Sequence, residues 1–235
     1  ECYDPGHLLT RTEDRENKLA LFERLGELGL ATGSETAGDW AAGELAWSEG
    51  LMSLGPWRHP EAGYLPSGLA PNPEQLEWQL NPARRVPLWE LVHHQDVVAT
   101  WYWGDCQTTF PSLWARRDLF SALYGTPPLF VVKTAEDWER DKERIAASCL
   151  AFQQLMAVID DDATYKHEFV TADRQVQLAR YSNGVVVVAN FRAQTYDYAD
   201  SLIPAGGYCA FRPGQAPVVV DLAAGSGGGE ANSSL

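Results

Sequence analysis

Basic residues are scarce in this chain: 18 Lys and Arg stand against 32 Asp and Glu, a formal charge of −14 over 235 residues. That deficit argues against a nucleic-acid partner or an anionic membrane surface, and it suits a neutral or cationic ligand. Long apolar runs are missing too. None approaches the roughly 20 residues that a membrane-spanning helix needs, and no signal-peptide pattern is evident. Cysteines are few and scattered, at Cys2, Cys106, Cys149 and Cys209. Without a Cys-x-x-Cys pair, a zinc ribbon or thioredoxin-like site is not expected, and the four thiols read as free. They leave the compartment open. GxGxxG, Walker, GxSxG and HExxH patterns are absent, so dinucleotide, P-loop and α/β-hydrolase chemistry lack support.

What is present is an ordinary globular composition, 45% hydrophobic and 21% charged, with a change of character along the chain. Thr12 to Leu28 reads as a helix capped by Thr12, with Leu19, Phe22, Leu25 and Leu28 at helical spacing and Gly29 placed to end it. Leu30 to Glu35 follows as a short strand, and the helix–strand rhythm is that of a parallel α/β fold. Asp39 to Leu54 reads as a second helix or loop-helix. Gly55 to Pro87 is rich in Pro and Gly, the composition of a functional wall or lid. Leu113 to Tyr124 reads as helical. Thr134-Ala135-Glu136-Asp137 is a capping signature for a long helix, with Trp138, Ile145, Cys149, Phe152, Met156 and Ile159 as its expected buried stripe. Asp160-Asp161-Asp162 is unfavourable at a helix C-terminus and should stop it.

Beyond that point the pattern alternates and is rich in Val. Asn183-Gly184 between two such runs signals a two-residue hairpin. The expected organisation is α/β followed by all-β: the later part of a (β/α)8 TIM-type barrel over residues 1–160, a C-terminal antiparallel β-sandwich over 161–222, and a flexible tail over 223–235. On pattern alone, an open doubly wound sheet is also compatible with the first part. The chain starts without Met on a strand-like "ECYDP", so a larger parent protein is expected to continue upstream.

Three groupings could carry chemistry. Glu35 falls where a strand runs out, among small residues. The C-terminal ends of barrel strands are where active sites form, and a carboxyl there can serve as a general acid. The plainer reading is a cap or ion-pair partner for the next helix, and from the Glu alone it comes first. The second grouping is "HHQDVVATWYWGDC", which sets His93, His94, Asp96 and Asp105 beside Trp89, Trp101, Tyr102 and Trp103. Aromatic faces next to hydrogen-bonding groups suit a sugar; a Trp-rich core strand is the plainer alternative. A metal-dependent hydrolase built on His93 or His94 with Asp96 and Asp105 is a third reading. Adjacent histidines on a strand point to opposite faces, which disfavours joint ligation. The third grouping is "ECYDPGHLLTR", where Asp4-Pro5 and His7 can form a turn.

The stretches "ECYDPGHLLTR", "TGSETAGDWA", "VPLWELVHHQDVVATWYWGD" and "VQLARYSNGVVVVANF", in this order, resemble the C-terminal half of bacterial glycoside hydrolases of family 129, the α-N-acetylgalactosaminidase type, and more distantly family 101. The resemblance implies a retaining enzyme on a barrel with a β-sandwich behind it, acting on an α-linked glycoside. An Asp nucleophile and a Glu acid/base would lie about 5–5.5 Å apart. It implies Glu35 as acid/base and a nucleophile upstream of Glu1, with Asp4 as the nearest substitute. His7, Asp39, Trp40, His94, Asp96, Trp101, Trp103 and Asp105 would bind substrate. One position departs from the family pattern: Gln95 stands where an acidic residue is expected after the histidine, and Asp96 follows. The expected partner is a carbohydrate, with no resident cofactor, though a structural divalent cation is compatible. A non-catalytic carbohydrate-binding protein is the rival reading.

Overall fold

The computed structural model describes residues 6, 9–35, 37–51, 80–101, 114–159 and 165–222. Helix α1 (Arg11–Glu27) starts earlier than the sequence suggests, because Thr10 rather than Thr12 caps it. The Glu13 backbone N–H donates to Thr10 Oγ1 at 3.2 Å, and the Thr10 N–H donates to the Glu13 carboxylate at 2.7 Å. The reciprocal capping box needs a Glu three residues on, and Thr10 has one where Thr12 has Arg15.

Strand β1 (Gly33–Glu35) leads into a short 3₁₀ helix (Asp39–Glu44) and then strand β2 (Trp47–Glu49). The expected helix from Asp39 to Leu54 is therefore cut at Glu44. The Ala46 N–H is taken by the Thr32 carbonyl at 2.9 Å, and the Ala46 carbonyl accepts from Val98 N–H at 3.1 Å. Ladder bonds to two flanking segments outweigh the local helical pattern. Helix α2 (Leu88–His93) precedes strand β3 (Val98–Thr100). The three strands form a parallel sheet in the order β1-β2-β3.

Helices α3 (Trp114–Tyr124) and α4 (Ala135–Ile159) follow. The α4 helix is capped by Thr134 as expected, with Asp137 N–H donating to Thr134 Oγ1 at 3.1 Å. Its buried stripe is Ser148, Ala151, Leu155, Val158 and Ile159, not the Trp138–Cys149–Phe152–Met156 set that periodicity suggests. Trp138 is exposed, as is Cys149. The helix is turned by polar groups: buried Ser148 donates to the Asp118 carboxylate and accepts from Trp114 Nε1 at 2.9 Å. One residue of helix is about 100°, so seating Ser148 inward brings 151, 155 and 158 with it.

The rest is antiparallel. Strands β4 (Tyr165–Phe169), β5 (Val176–Tyr181), β6 (Val186–Asn190), β9 (Tyr208–Phe211) and β10 (Val218–Val220) form one sheet in the order β10-β9-β6-β5-β4. Strands β7 (Tyr196–Tyr198) and β8 (Ser201–Ile203) pair with each other. The β5–β6 loop has three residues rather than two. Tyr181 N–H bonds the Val185 carbonyl at 2.9 Å and Gly184 N–H bonds the Tyr181 carbonyl at 3.0 Å, with Gly184 at φ +85°. Gly184 fills the left-handed position that such a loop requires. Asn183 plays a different part. Its amide donates to the Ile159 carbonyl and so closes the C-terminus of α4.

One face of the five-stranded sheet carries Ala179, Tyr181, Val187, Ala189, Tyr208 and Ala210. It packs against Leu119, Phe120, Leu123 and Tyr124 of α3 and Leu155 and Ile159 of α4, together with Ala99 and Trp101. This core runs without a break across residue 160. The other face buries Val176, Leu178, Val188 and Cys209 with Ile203, under Tyr196 and Tyr198. Asn190, fully buried, ties the β7–β8 hairpin down. Its amide nitrogen lies 2.9–3.1 Å from the carbonyls of Gln194, Ile203 and Pro204, and its Oδ1 accepts from Arg192 N–H at 3.1 Å. Replacing Asn190 by Ala strands those carbonyls and should cost about 2–4 kcal/mol. Urea unfolding followed by tryptophan fluorescence measures this; a loss below about 0.5 kcal/mol would contradict the assignment.

Candidate active site

In the parallel sheet the register pairs Gly33 with Trp47 and Val98, Ser34 with Ser48 and Ala99, and Glu35 with Glu49 and Thr100. In-register residues of neighbouring strands share a face, about 4.8 Å apart. The middle row lies on the opposite, covered face of the sheet: Ser48 and Ala99 are buried, and Ser48 Oγ accepts from Ala37 N–H at 3.2 Å. The first row is open, with Trp47 and Val98 43% and 47% exposed. The last row lies at the C-terminal ends of all three strands and holds two carboxylates, Glu35 exposed and Glu49 half-buried. Glu49 is the residue that sequence reasoning missed, because its segment reads as helix. A signal was available: the dipeptide Ser-Glu recurs at Ser34-Glu35 and Ser48-Glu49, and the two copies are the strand partners.

Two other expected site residues lie beyond the end of β1. Asp39 opens the 3₁₀ helix and its carboxylate accepts from Trp40 N–H at 2.9 Å. The exposed Trp40 indole lies over Gly38, where an added Cβ would clash with its Nε1. His94 and Asp96 come before β3 and so sit at the opposite, N-terminal end of the sheet from Glu35. Asp96 bonds His93 Nδ1 at 2.8 Å. His93 ends helix α2 and His94 caps it, so the two rings diverge as helical neighbours rather than as strand neighbours. Trp101 has no exposed surface. Its Nε1 donates to Ser121 Oγ at 2.8 Å, and the Arg85 guanidinium stacks on its ring at 4.7 Å. Asp4, His7, Trp103 and Asp105 lie outside the described residues. Among the described residues no three His, Cys, Asp or Glu side chains gather as metal ligands, and no helix is long and apolar enough to cross a membrane.

Helix α2 holds a buried polar group that sequence reasoning also missed. Glu90 on α2 is 4% exposed, and its Oε1 meets no donor among the described residues. Burial pushes its carboxyl up from the ordinary 4.5 to about 7, against smaller opposing effects of its own backbone N–H and Arg85. His94, one turn on, meets Tyr181 edge-to-face at 5.6 Å, and burial lowers its pKa, keeping the ring neutral. Burial likewise raises the Tyr124 and Tyr181 phenols.

A parallel sheet with carboxylates along its C-terminal edge and an antiparallel sheet after it is an arrangement that glycoside hydrolases share with other α/β proteins, so the family rests on sequence likeness. The family "glycosyl hydrolases related to GH101 family, GH129" matches residues 56–180, more than half of the chain. The chain belongs to that family. Solved structures of the α-N-acetylgalactosaminidase NagBb from Bifidobacterium bifidum are similar. The ligand-free form is 25% identical with a TM-score of 0.50, covering 85% of this chain and 28% of that one. The complex with Gal-NHAc-DNJ is 23% identical with a TM-score of 0.52, covering 87% and 30%. The chain thus spans less than a third of the length of those enzymes. No curated protein matches it. The family match starts after Glu35 and Glu49, so the case for those two rests on the strand geometry.

Glu90 binds its proton more tightly in the folded chain than in the unfolded one. Its contribution to stability is therefore full below pH 4.5 and is lost as pH rises to about 7. Glu90→Gln, which has no charge to bury, should gain about 3 kcal/mol on the wild type across that interval. Urea titrations at pH 4.5, 6 and 7.5 read the difference; a constant gap would contradict a raised Glu90 pKa.

Proposed function

We propose that this chain is the acid/base-bearing part of a retaining glycoside hydrolase that cleaves α-linked glycosides, with α-N-acetylgalactosaminides as substrate. The observation that carries the reading is Glu35 at the C-terminal end of a parallel strand, exposed at the edge where barrel enzymes hold their chemistry. Glu35 protonates the glycosidic oxygen as the bond breaks and then takes a proton from the attacking water. Asp39 and Trp40 follow β1 at the same edge, and Trp103 and Asp105 follow β3 in sequence. Asp39 and Trp40 line the sugar subsite, with Trp40 offering an apolar ring face to the sugar C–H groups, and the family resemblance adds Trp103 and Asp105 as sugar-binding residues.

The open row of Gly33, Trp47 and Val98 supports the barrel reading. In a closed (β/α)8 barrel the inward row is covered by further strands, and here Trp47 and Val98 are left exposed. The apolar residues Leu21 and Leu28 on and after α1 are exposed in the same manner. We infer that an N-terminal part of the parent protein covers them and brings the nucleophilic Asp; Asp4 is the candidate within the chain. The antiparallel module is then the C-terminal β-sandwich domain. The similar NagBb enzyme is an α-N-acetylgalactosaminidase, which supports the substrate class.

In the full-length protein, Glu35→Gln should slow hydrolysis of a methyl α-N-acetylgalactosaminide about 10²–10⁴-fold. The loss should be much smaller with a dinitrophenyl leaving group, which needs no protonation. Wild-type rates with the methyl glycoside would reject Glu35 as the acid.

A further inference from the structure

We propose that Glu49 and Thr100 form a hydroxyl-recognition pair that holds the sugar next to Glu35 and sets its specificity; this rests on the glycosidase reading above. The three residues occupy one register row, Glu35–Glu49–Thr100, at the C-terminal ends of adjacent parallel strands. The row spans roughly 10 Å from first to last backbone position, about the reach of one sugar ring with its hydroxyls. Exposure falls along it: Glu35 is open, Glu49 is half-buried and Thr100 is 6% exposed. The acid therefore stands at the mouth, where an aglycone would leave, and Thr100 at the closed end.

Thr100 supplies the independent sign of a ligand. Its Oγ1 is buried and bonds no group among the described residues. An unsatisfied buried hydroxyl costs stability, and it is retained where a ligand completes it. A β-branched apolar residue of the same shape would fill the position without that cost. Glu49 stands one strand away on the same face. A carboxylate accepts only, whereas a threonine hydroxyl donates and accepts. Together they suit neighbouring hydroxyls of a neutral polyol: Glu49 accepts from one or two, and Thr100 exchanges a bond with the next. A site built to bond hydroxyls rejects analogues that lack them, because its own polar groups are then left unpaired.

The test uses the full-length protein with Glu49→Gln and Thr100→Val. The substrates are p-nitrophenyl α-N-acetylgalactosaminide and its 3-, 4- and 6-deoxy analogues. Each variant should lose about tenfold or more in kcat/KM on the parent glycoside. That loss should shrink to within about twofold on one deoxy analogue, the one lacking the bonded hydroxyl. Thr100→Val should also melt no lower than wild type without ligand, and it decides the matter if Glu49→Gln does not fold. Equal losses on all four substrates would assign a purely structural role and overturn the pair. So would undiminished kcat/KM in both variants while Glu35→Gln remains slow, which leaves the glycosidase reading intact. A lower Tm for Thr100→Val would show that its hydroxyl is already bonded, and would overturn the pair as well. A wild type that turns over none of these glycosides rejects the glycosidase reading, and the pair with it.

Discussion

Helix α3 is buried on every side from Arg117 to Tyr124, and the arrangement of the remaining described elements follows from that. A helix without a solvent face needs partners all round. One side meets Ala99 and Trp101 at the end of β3; another meets the antiparallel sheet through Ala179, Val187 and Tyr208; a third meets α4 through Leu155 and Ile159. The parallel and antiparallel sheets are thereby welded to a common core. The charged pair at the start of α3 is handled locally. Arg117 lies 3.3 Å from Asp118 and stacks on Trp114 and Phe130, while Ser148 donates to the Asp118 carboxylate. Burial nevertheless raises the Asp118 pKa, so the contact favours one arrangement of α3 and α4 more than it adds stability.

That weld bears directly on the site. Trp101 follows β3 without a gap, and its indole is pinned by Ser121 on α3 and by Arg85 above its ring. Fixing Trp101 fixes where β3 ends, hence the height of Thr100, and through the ladder the heights of Glu49 and Glu35. The aromatic cluster that looks in sequence like a sugar platform contributes, at Trp101, a foundation under the strand end. The open aromatic ring among the described residues near that edge is Trp40, whereas the exposed Trp47 stands in the first row at the other end of the strands.

Much of the fold is legible along the chain. The helices α1, α3 and α4, the turn at Gly184, the switch to antiparallel strands and the carboxylate ending β1 all come from neighbours within a few residues of one another: apolar spacing, caps, turn residues. Where the structure departs from the sequence pattern, a specific partner is the cause. Thr10 rather than Thr12 caps α1 because only Thr10 has a glutamate, Glu13, three residues on. The α4 stripe is turned because Ser148 is held by Asp118 and Trp114, some 30 residues away. Trp47-Ser48-Glu49 is strand rather than helix because β1 and β3 lie on either side of it.

The sequence alone therefore determined the helices α1, α3 and α4 and the switch to antiparallel strands, since hydrophobic period and turn chemistry are local properties; the family, and with it the standing of Glu35 as a candidate acid, came from the likeness of whole motifs. Only the tertiary structure decided that Glu49 and Thr100 share its row, that Trp101 is core, and that His94 and Asp96 sit at the other end of the strand. Register and burial are set by contacts between segments far apart in the chain. A one-residue change in strand pairing would turn the Glu49 and Thr100 side chains to the opposite face.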